Sequence, residues 1–473
     1  MMPDVVIAGS TCNPCGALHW IPDHVRDDSP GFVIADLLRN PFLLRSECKM
    51  MQKNARLRGT LTGAALMTLL LVQAAVAQTA PPPLAAASAE AALTVRPEIG
   101  VLLQDAQRLL GERKGSDAAD KLAAADAVDN KTPYERHILA RLKIALAGVT
   151  SNAELAAQQF ELASQGPWLS PADKLAALQS VAGLYYNAKN YAKAIEWNLR
   201  YQQAGGSAPA MNTLLAQSHY LAGDYASAAR VLQAEVDQAS AAGRAPAEMQ
   251  LRLLADSRGR LKDEATYRRS LETLVQHYPT PANWHALLAR LWLRPQLATR
   301  LHLHLFRLQL GSAGFSEASD YSEMAQLALQ EGSAFEASKV LALGNASGLL
   351  AATDRSWQLL GEKILKLAAE DRKTLEADLV RAAKLPDGLA QFNYGFNLYQ
   401  SGQAERGVAQ MEQALAKGLA RNADLARLRL VAVYAQLKER SKALQLLAAL
   451  DGKTDPVGLD DIVRYWQLLL RQV

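Results

Sequence analysis

The chain has 473 residues, of which 21% are charged and only 6% aromatic, and its formal net charge is +4. Alanine and leucine dominate, a composition that suits many helices packed through small side chains and excludes the β-branched, glycine-punctuated texture of an all-β protein. The basic residues are dispersed among acidic ones without a Lys/Arg stripe, which excludes nucleic acid as the expected partner.

The first fifty residues hold all three cysteines, Cys12, Cys15 and Cys48. Cys12-Asn13-Pro14-Cys15, with His19 and His24 nearby, offers zinc-type side chains. A structural zinc needs four placed ligands, and no second C-x-x-C follows, so no metal or cofactor is expected. Met51 then opens a short basic segment with Lys53, Arg56 and Arg58, ahead of an apolar stretch at 61–76 and the small-x-small run Ala75-Val76-Ala77. Basic, apolar and small-residue regions in that order form a secretory signal over 51–77, with cleavage expected before Gln78. The apolar stretch is shorter than the ~20 residues of a membrane-spanning helix, so membrane contact would come only from an uncleaved signal. A secretory signal must stand at the true N-terminus. Residues 1–50 are therefore expected to be a mis-assigned, disordered upstream stretch, and the exported chain to be periplasmic and free of cysteine.

Residues 78–96 read as a Pro/Ala-rich linker stiffened at Pro81 to Pro83. Helical periodicity begins near Pro97, with Ile99, Leu103, Ala106 and Leu110 on one face. A turn, G-E-R-K-G, leads to a second helix with Ser116 as its expected N-cap. Farther on, a 34-residue step relates matching residues: Tyr191 and Ala194 return as Tyr225 and Ala228, and Ala182 and Tyr185 are matched by Ala216 and His219. A period of this length means stacked helix pairs.

The chain here resembles the tetratricopeptide repeat family, whose 34-residue pattern sets small and aromatic residues at fixed places. The fullest single match is Trp357, Leu360, Gly361 and Ile364. Elsewhere a pair of small residues 12 apart carries the resemblance: Ala182 with Ala194, Ala216 with Ala228, Ala325 with Ala337, and Gly395 with Gly407. These are the points where two helices of a pair cross closest. Tyr267 and Lys373 depart from the pattern at the second small position. The register starts repeats near Leu175, Pro209, Glu248, Pro281, Ala318, Asp354, Gly388 and Asp424. The resemblance implies an all-α, right-handed α-solenoid of about ten antiparallel helix pairs. Its parts are degenerate helix pairs over 97–174, a repeat array over 175–457, and a capping helix over 458–473.

Catalytic constellations are missing from this frame. His302 and His304, two apart with His285 upstream, would point in different directions on a helix and read as polar residues of an amphipathic face. Glu370-Asp371 and Asp460-Asp461 are adjacent acids, which do not converge on one pocket, and both pairs read as acids favouring helix starts or turns. There is no nucleophile elbow, P-loop or dinucleotide fingerprint, so no enzyme is expected. In the family, the first helix of each pair lines the concave surface. The twelfth position of successive repeats carries Tyr186, Tyr220, Gly259, Trp292, Leu329, Leu365 and Tyr399. The aromatics would form a stripe for a protein or peptide partner, with Gln179, Asn187 and Gln217 offering hydrogen bonds and Arg252 offering charge. The bland alternative is that these rings fill space between adjacent repeats.

Two runs, Y-P-T-P-A-N-W-H-A-L-L-A-R-L and D-Y-S-E-M-A-Q-L-A-L-Q-E-G, look similar to repeat proteins encoded beside TonB-type systems of Gram-negative bacteria. That resemblance implies a periplasmic scaffold contacting TonB-, ExbB- or ExbD-like subunits. A carbohydrate-binding solenoid or scaffold for polysaccharide export or cell-wall synthesis would use the same features, and an enzyme built on a solenoid is the more distant alternative.

Overall fold

The computed structural model describes residues 94–350 and 354–472; the signal, the cysteines and most of the linker lie outside them. Among the described residues there are twenty α-helices, one 3-10 turn and no strand. They form two compact units, divided after Glu235.

The first unit is built of antiparallel helix pairs: α1 (Pro97–Gly111) with α2 (Gly115–Ala127), α3 (Pro133–Thr150) with α4 (Ala153–Ala163), and α5 (Pro171–Asn187) with α6 (Tyr191–Gln203). Then come α7 (Pro209–Leu221) and α8 (Tyr225–Ala241), which carries the chain into the second unit. Proline at the first position opens α1, α3, α5 and α7, where its missing N–H costs nothing. Thr132 and Glu135 close a capping box on α3, each side chain accepting from the other's backbone N–H at 3.1 and 2.8 Å. The same Glu135 carboxylate is fully buried and takes a two-pronged bond from Arg96 at 3.0 and 3.1 Å. The Arg96 bond holds its acid down to about 2. Ser116, expected to cap α2, lies inside its first turn, and the cap position falls to Lys114. Between α5 and α6 the turn passes through Lys189 with φ of 59°; Gly223 takes the same left-handed role 34 residues later, with φ of 82°. The small pairs behave as the register requires: Ala182 and Ala194 have no exposed surface, and Phe160, Leu178, Tyr185 and Trp197 pack around them.

In the second unit the first helices of three pairs begin at Glu248, Pro281 and Ala318, where the register places them. The helices are α9 (Glu248–Arg260), α10 (Glu264–His277), α11 (Pro281–Trp292), α12 (His302–Ser312), α13 (Ala318–Gln330), α14 (Ala334–Ala346), α15 (Arg355–Ala383), α16 (Leu389–Gln400), α17 (Ala404–Lys417), α18 (Ala423–Gln436), α19 (Arg440–Ala448) and α20 (Leu459–Gln472). Pairing α9·α10, α13·α14, α16·α17 and α18·α19 continues the antiparallel pattern. Two features go beyond it. Helix α12 is buried at every residue over 303–309 and packs on α11, α13, α18 and α20, so it is the unit's central helix, with no face turned to solvent over that span. Helix α20 packs on α10 and α12 as well as on its neighbour α19, which joins the end of the unit to its beginning. A simple repeat stack touches only its sequence neighbours; this unit closes on itself.

The Asp354 repeat is corrected by the structure. Instead of a helix pair there is one 29-residue helix, α15, with Trp357, Gly361, Ile364, Ala368, Leu375, Leu379 and Ala382 along its buried seam. Glu370 and Asp371 therefore lie in mid-helix, away from any start or turn, whereas Asp460 and Asp461 do open α20. The Lys373 departure is explained, since no second helix exists to crowd. At Tyr267 the ring lies over Gly259, where an added Cβ would sit 3.6 Å from it.

Helices α16 and α17 cross closely at Gly395 and Gly407. A Cβ on Gly407 would come within 2.4 Å of the Tyr399 backbone nitrogen and 2.7 Å of the Gly395 carbonyl oxygen. Gly407→Ala should force α17 off α16 and cost about 2–3 kcal/mol in urea unfolding. Gly183→Ala, at a helical position with nothing within 4 Å, should instead stabilise by about 0.5–1 kcal/mol. Equal midpoints for the two variants would refute the close-crossing argument.

Candidate functional site

Of the aromatic stripe expected from the sequence, the structure buries Tyr186 and Tyr399 and leaves Tyr220 and Trp292 half-buried. Tyr186 is 2% exposed and Tyr399 6% exposed, and both rings sit in the packing between helices. Burial pushes the Tyr186 phenol up to about 12. Its hydroxyl donates to Gln217 Oε1 at 3.3 Å, and its ring meets Tyr191 edge-on at 5.8 Å. Tyr399 donates in the same way to Gln436 Oε1 at 2.7 Å. Trp292, half-buried, donates from Nε1 to Gln309 Oε1 at 3.2 Å and packs on His302 and Phe306. Tyr220 is half-buried against Tyr225, 5.3 Å away and edge-on. For Tyr186 and Tyr399 the ring fills space between layers and its hydroxyl reaches a glutamine on the next first-helix, whereas the glutamine bonded to Trp292 lies on α12. Of the remaining expected residues, Asn187 and Gln179 are exposed, while Arg252 is folded back onto Glu248 at 2.7 Å.

His304 departs from the expected amphipathic face. His304 is 1% exposed on α12, and burial, with the charges of Arg307 and Arg429, keeps its imidazole neutral. Around it is a buried polar cluster that sequence reasoning missed. Arg307 grips Glu336 with two bonds at 2.8 and 2.7 Å, and Arg429 pairs with Glu331 and donates to Asn393 at 3.1 Å. The two guanidiniums lie 5.4 and 5.0 Å from the Phe396 ring centre. Beside the cluster is a cleft of about 230 Å³ lined by Glu331, Asn393, Arg421 and Arg429. The cluster binds four helices of this unit together, and its charges balance internally.

The larger concavity is in the first unit, within the segment that departs most from the repeat pattern. A cleft of about 530 Å³ runs between α3 and α4, with residues 165–168 along its side. Trp168 supplies an aromatic wall, held near Tyr134 at 5.7 Å and His137 at 5.6 Å. Gly166 is required there, because a Cβ on it would stand 2.4 Å from the Trp168 ring. The polar lining is basic: Lys131, Arg136 and Lys143 against the single carboxylate of Asp126. Lys143 pairs with that carboxylate at 2.7 Å. Lys131 and Arg136 spend their contacts on backbone carbonyls, and among the described residues neither meets a carboxylate. Buried His137 lines the same cleft, its Nδ1–H donating to the Ala163 carbonyl at 3.1 Å. Burial lowers its pKa, so the ring is neutral and Nε2 is a bare acceptor, without a protein partner. No signal in the period could have pointed here, because the cleft depends on a loop between repeats.

Among the described residues no cluster of three or more His, Cys, Asp or Glu side chains could hold a metal, and no helix is long and apolar enough to cross a membrane. No family model and no curated protein matches the chain. Among solved structures it is similar to the TPR2AB-domain:pHSP90 complex of yeast Sti1, at 13% identity over 64% of this chain and 98% of that one, with a TM-score of 0.23. Yeast Tom70 is 13% identical over 79% and 96% (TM-score 0.18), and the APC/C hetero-tetramer Cut9–Hcn1 is 10% identical over 81% and 99% (TM-score 0.19).

Proposed function

We propose that this chain is a non-enzymatic helical-repeat scaffold, of tetratricopeptide type, that holds a protein or peptide partner in the first-unit cleft. The observation that carries this reading is the cleft itself: about 530 Å³, walled by Trp168, with no nucleophile–base pair among its lining residues. A cavity of that size takes a few residues of a polypeptide, and a fixed indole is the kind of side chain that dominates such contacts. The secretory signal at 51–77 supports a periplasmic setting. The resemblance of the runs at 278–291 and 320–332 supports an accessory role with TonB-, ExbB- or ExbD-like subunits.

The test is affinity capture with the secreted form from Gln78, read by mass spectrometry, in parallel with Trp168→Ala and the surface control Asn187→Ala. Partners that Trp168→Ala loses by about tenfold or more, and Asn187→Ala keeps, place binding in the cleft. Equal recovery by both variants removes the cleft as the binding site. TonB-, ExbB- or ExbD-like subunits among those partners would support the uptake role, and their consistent absence would sink it without touching the scaffold reading.

A further inference from the structure

Resting on the scaffold reading, we infer that the first-unit cleft selects an extended, acid-rich peptide segment, with carboxylates on Lys131 and Arg136 and an aliphatic or aromatic side chain on Trp168. The argument begins with charge. Three cations and one carboxylate line the cleft, and that carboxylate, Asp126, is taken by Lys143. Lys131 and Arg136 are left with their charge unmatched by any acid among the described residues. Each retains donor capacity: Arg136 has five N–H groups and, among the described residues, one acceptor, the Lys131 carbonyl at 2.7 Å. Two unmatched cations flanking a cavity favour an anionic occupant, and the preference weakens with salt.

The rest of the lining separates a peptide from other anions. Leu162, half-exposed on α4, and Leu139 and Ala140 on α3 give the cleft an aliphatic floor beside the indole. A phosphate or a bare inorganic anion has nothing to place there. A nucleic-acid strand would use the indole but not the aliphatic floor, and it needs a longer basic track than two residues. Acid groups and apolar side chains occur together in an acid-rich polypeptide segment.

The experiment measures fluorescence anisotropy of the whole secreted chain from Gln78 with two labelled pools of octapeptides. In one pool Glu alternates with Leu, Phe or Val; in the other Gln replaces Glu. A single-stranded oligonucleotide is the third probe. The Glu pool should bind about tenfold more tightly than the Gln pool at low salt, with the gap closing as salt rises. Lys131→Gln and Arg136→Gln should each weaken the Glu pool about three- to fivefold and leave the Gln pool unchanged, at unaltered helicity. Trp168→Ala should weaken both pools. Equal binding of the two pools, with the Trp168 effect intact, would overturn the acid preference and leave the scaffold reading standing. So would tighter binding of the oligonucleotide. Binding of neither pool would overturn the inference outright, while the capture experiment decides the scaffold reading separately.

Discussion

Asp461→Asn should destabilise the second unit by about 3–5 kcal/mol, read as a lowered midpoint in urea unfolding. Asp461 is 1% exposed at the start of α20 and stands among three guanidiniums. Arg268 of α10 donates to it at 2.8 Å, and Arg294, just after α11, and Arg464 of α20 also pair with it. Arg464 reaches on to Glu272 at 3.0 Å, and Arg294 to Asp460 at 3.0 Å. The carboxylate is thus the hub that fastens α20 to helices lying more than 160 residues earlier. Neutralising it leaves three partly buried cations facing one another with one acid fewer between them. That repulsion is poorly screened away from water. Gln472 donating to the Val275 carbonyl at 3.0 Å and Ala298 N–H donating to the Val457 carbonyl at 3.1 Å would remain, but they are neutral bonds of smaller worth. Arg300→Ala is the control, since its pair with Asp455 is exposed on both sides and should contribute under about 1 kcal/mol. A loss at Asp461 no larger than at Arg300 would show that the helix is held by apolar packing alone.

The sequence carried the local geometry of this protein well and its long-range closure poorly, for identifiable reasons. Ala182 with Ala194, or Gly395 with Gly407, is legible because a close crossing of two helices leaves no choice of residue, and the constraint lies 12 positions apart on the same pair. Proline at 209 and 281 is legible because it suits a first helical turn and nothing later in the helix. The closure by α20 leaves no such periodic mark. Its signature is one acid and three arginines scattered over about two hundred residues, and each reads as an ordinary surface charge until the fold brings them together. Helix α15 departs for the opposite reason: Trp357, Gly361 and Ile364 reproduce a first-helix pattern, but no Gly, Pro or Asn falls between Gly361 and Ala383, so the helix simply continues. At the twelfth position the register picks out equivalent aromatics, and the structure buries two of them, Tyr186 and Tyr399. Register fixes which residues are equivalent. Whether the equivalent face meets solvent or the next layer depends on the glutamine opposite, and Gln217 and Gln436 decide it.

The second large effect concerns the buried pair in the core of the second unit. Arg307→Met or Glu336→Leu alone should each cost about 3–5 kcal/mol, because either change strands a charge beside His304 and Phe396. Arg307 has almost no exposed side chain, and its bidentate grip on Glu336 is the most enclosed ion pair among the described residues. The double variant should recover most of the loss, since removing both charges together removes both desolvation costs. Recovery should stop short of complete, because Arg307 also lies 3.5 Å from Glu331 and 5.4 Å from the Phe396 ring centre. Glu331 would keep Arg429, so the remaining pair stays balanced. A coupling of about 2 kcal/mol or more between the two sites, measured as a double-mutant cycle in urea, is the expected result. Additive losses would instead mean that each side chain is satisfied by separate partners, and that the central helix owes its place to Leu303, Leu305, Phe306 and Leu308 rather than to the charges it buries.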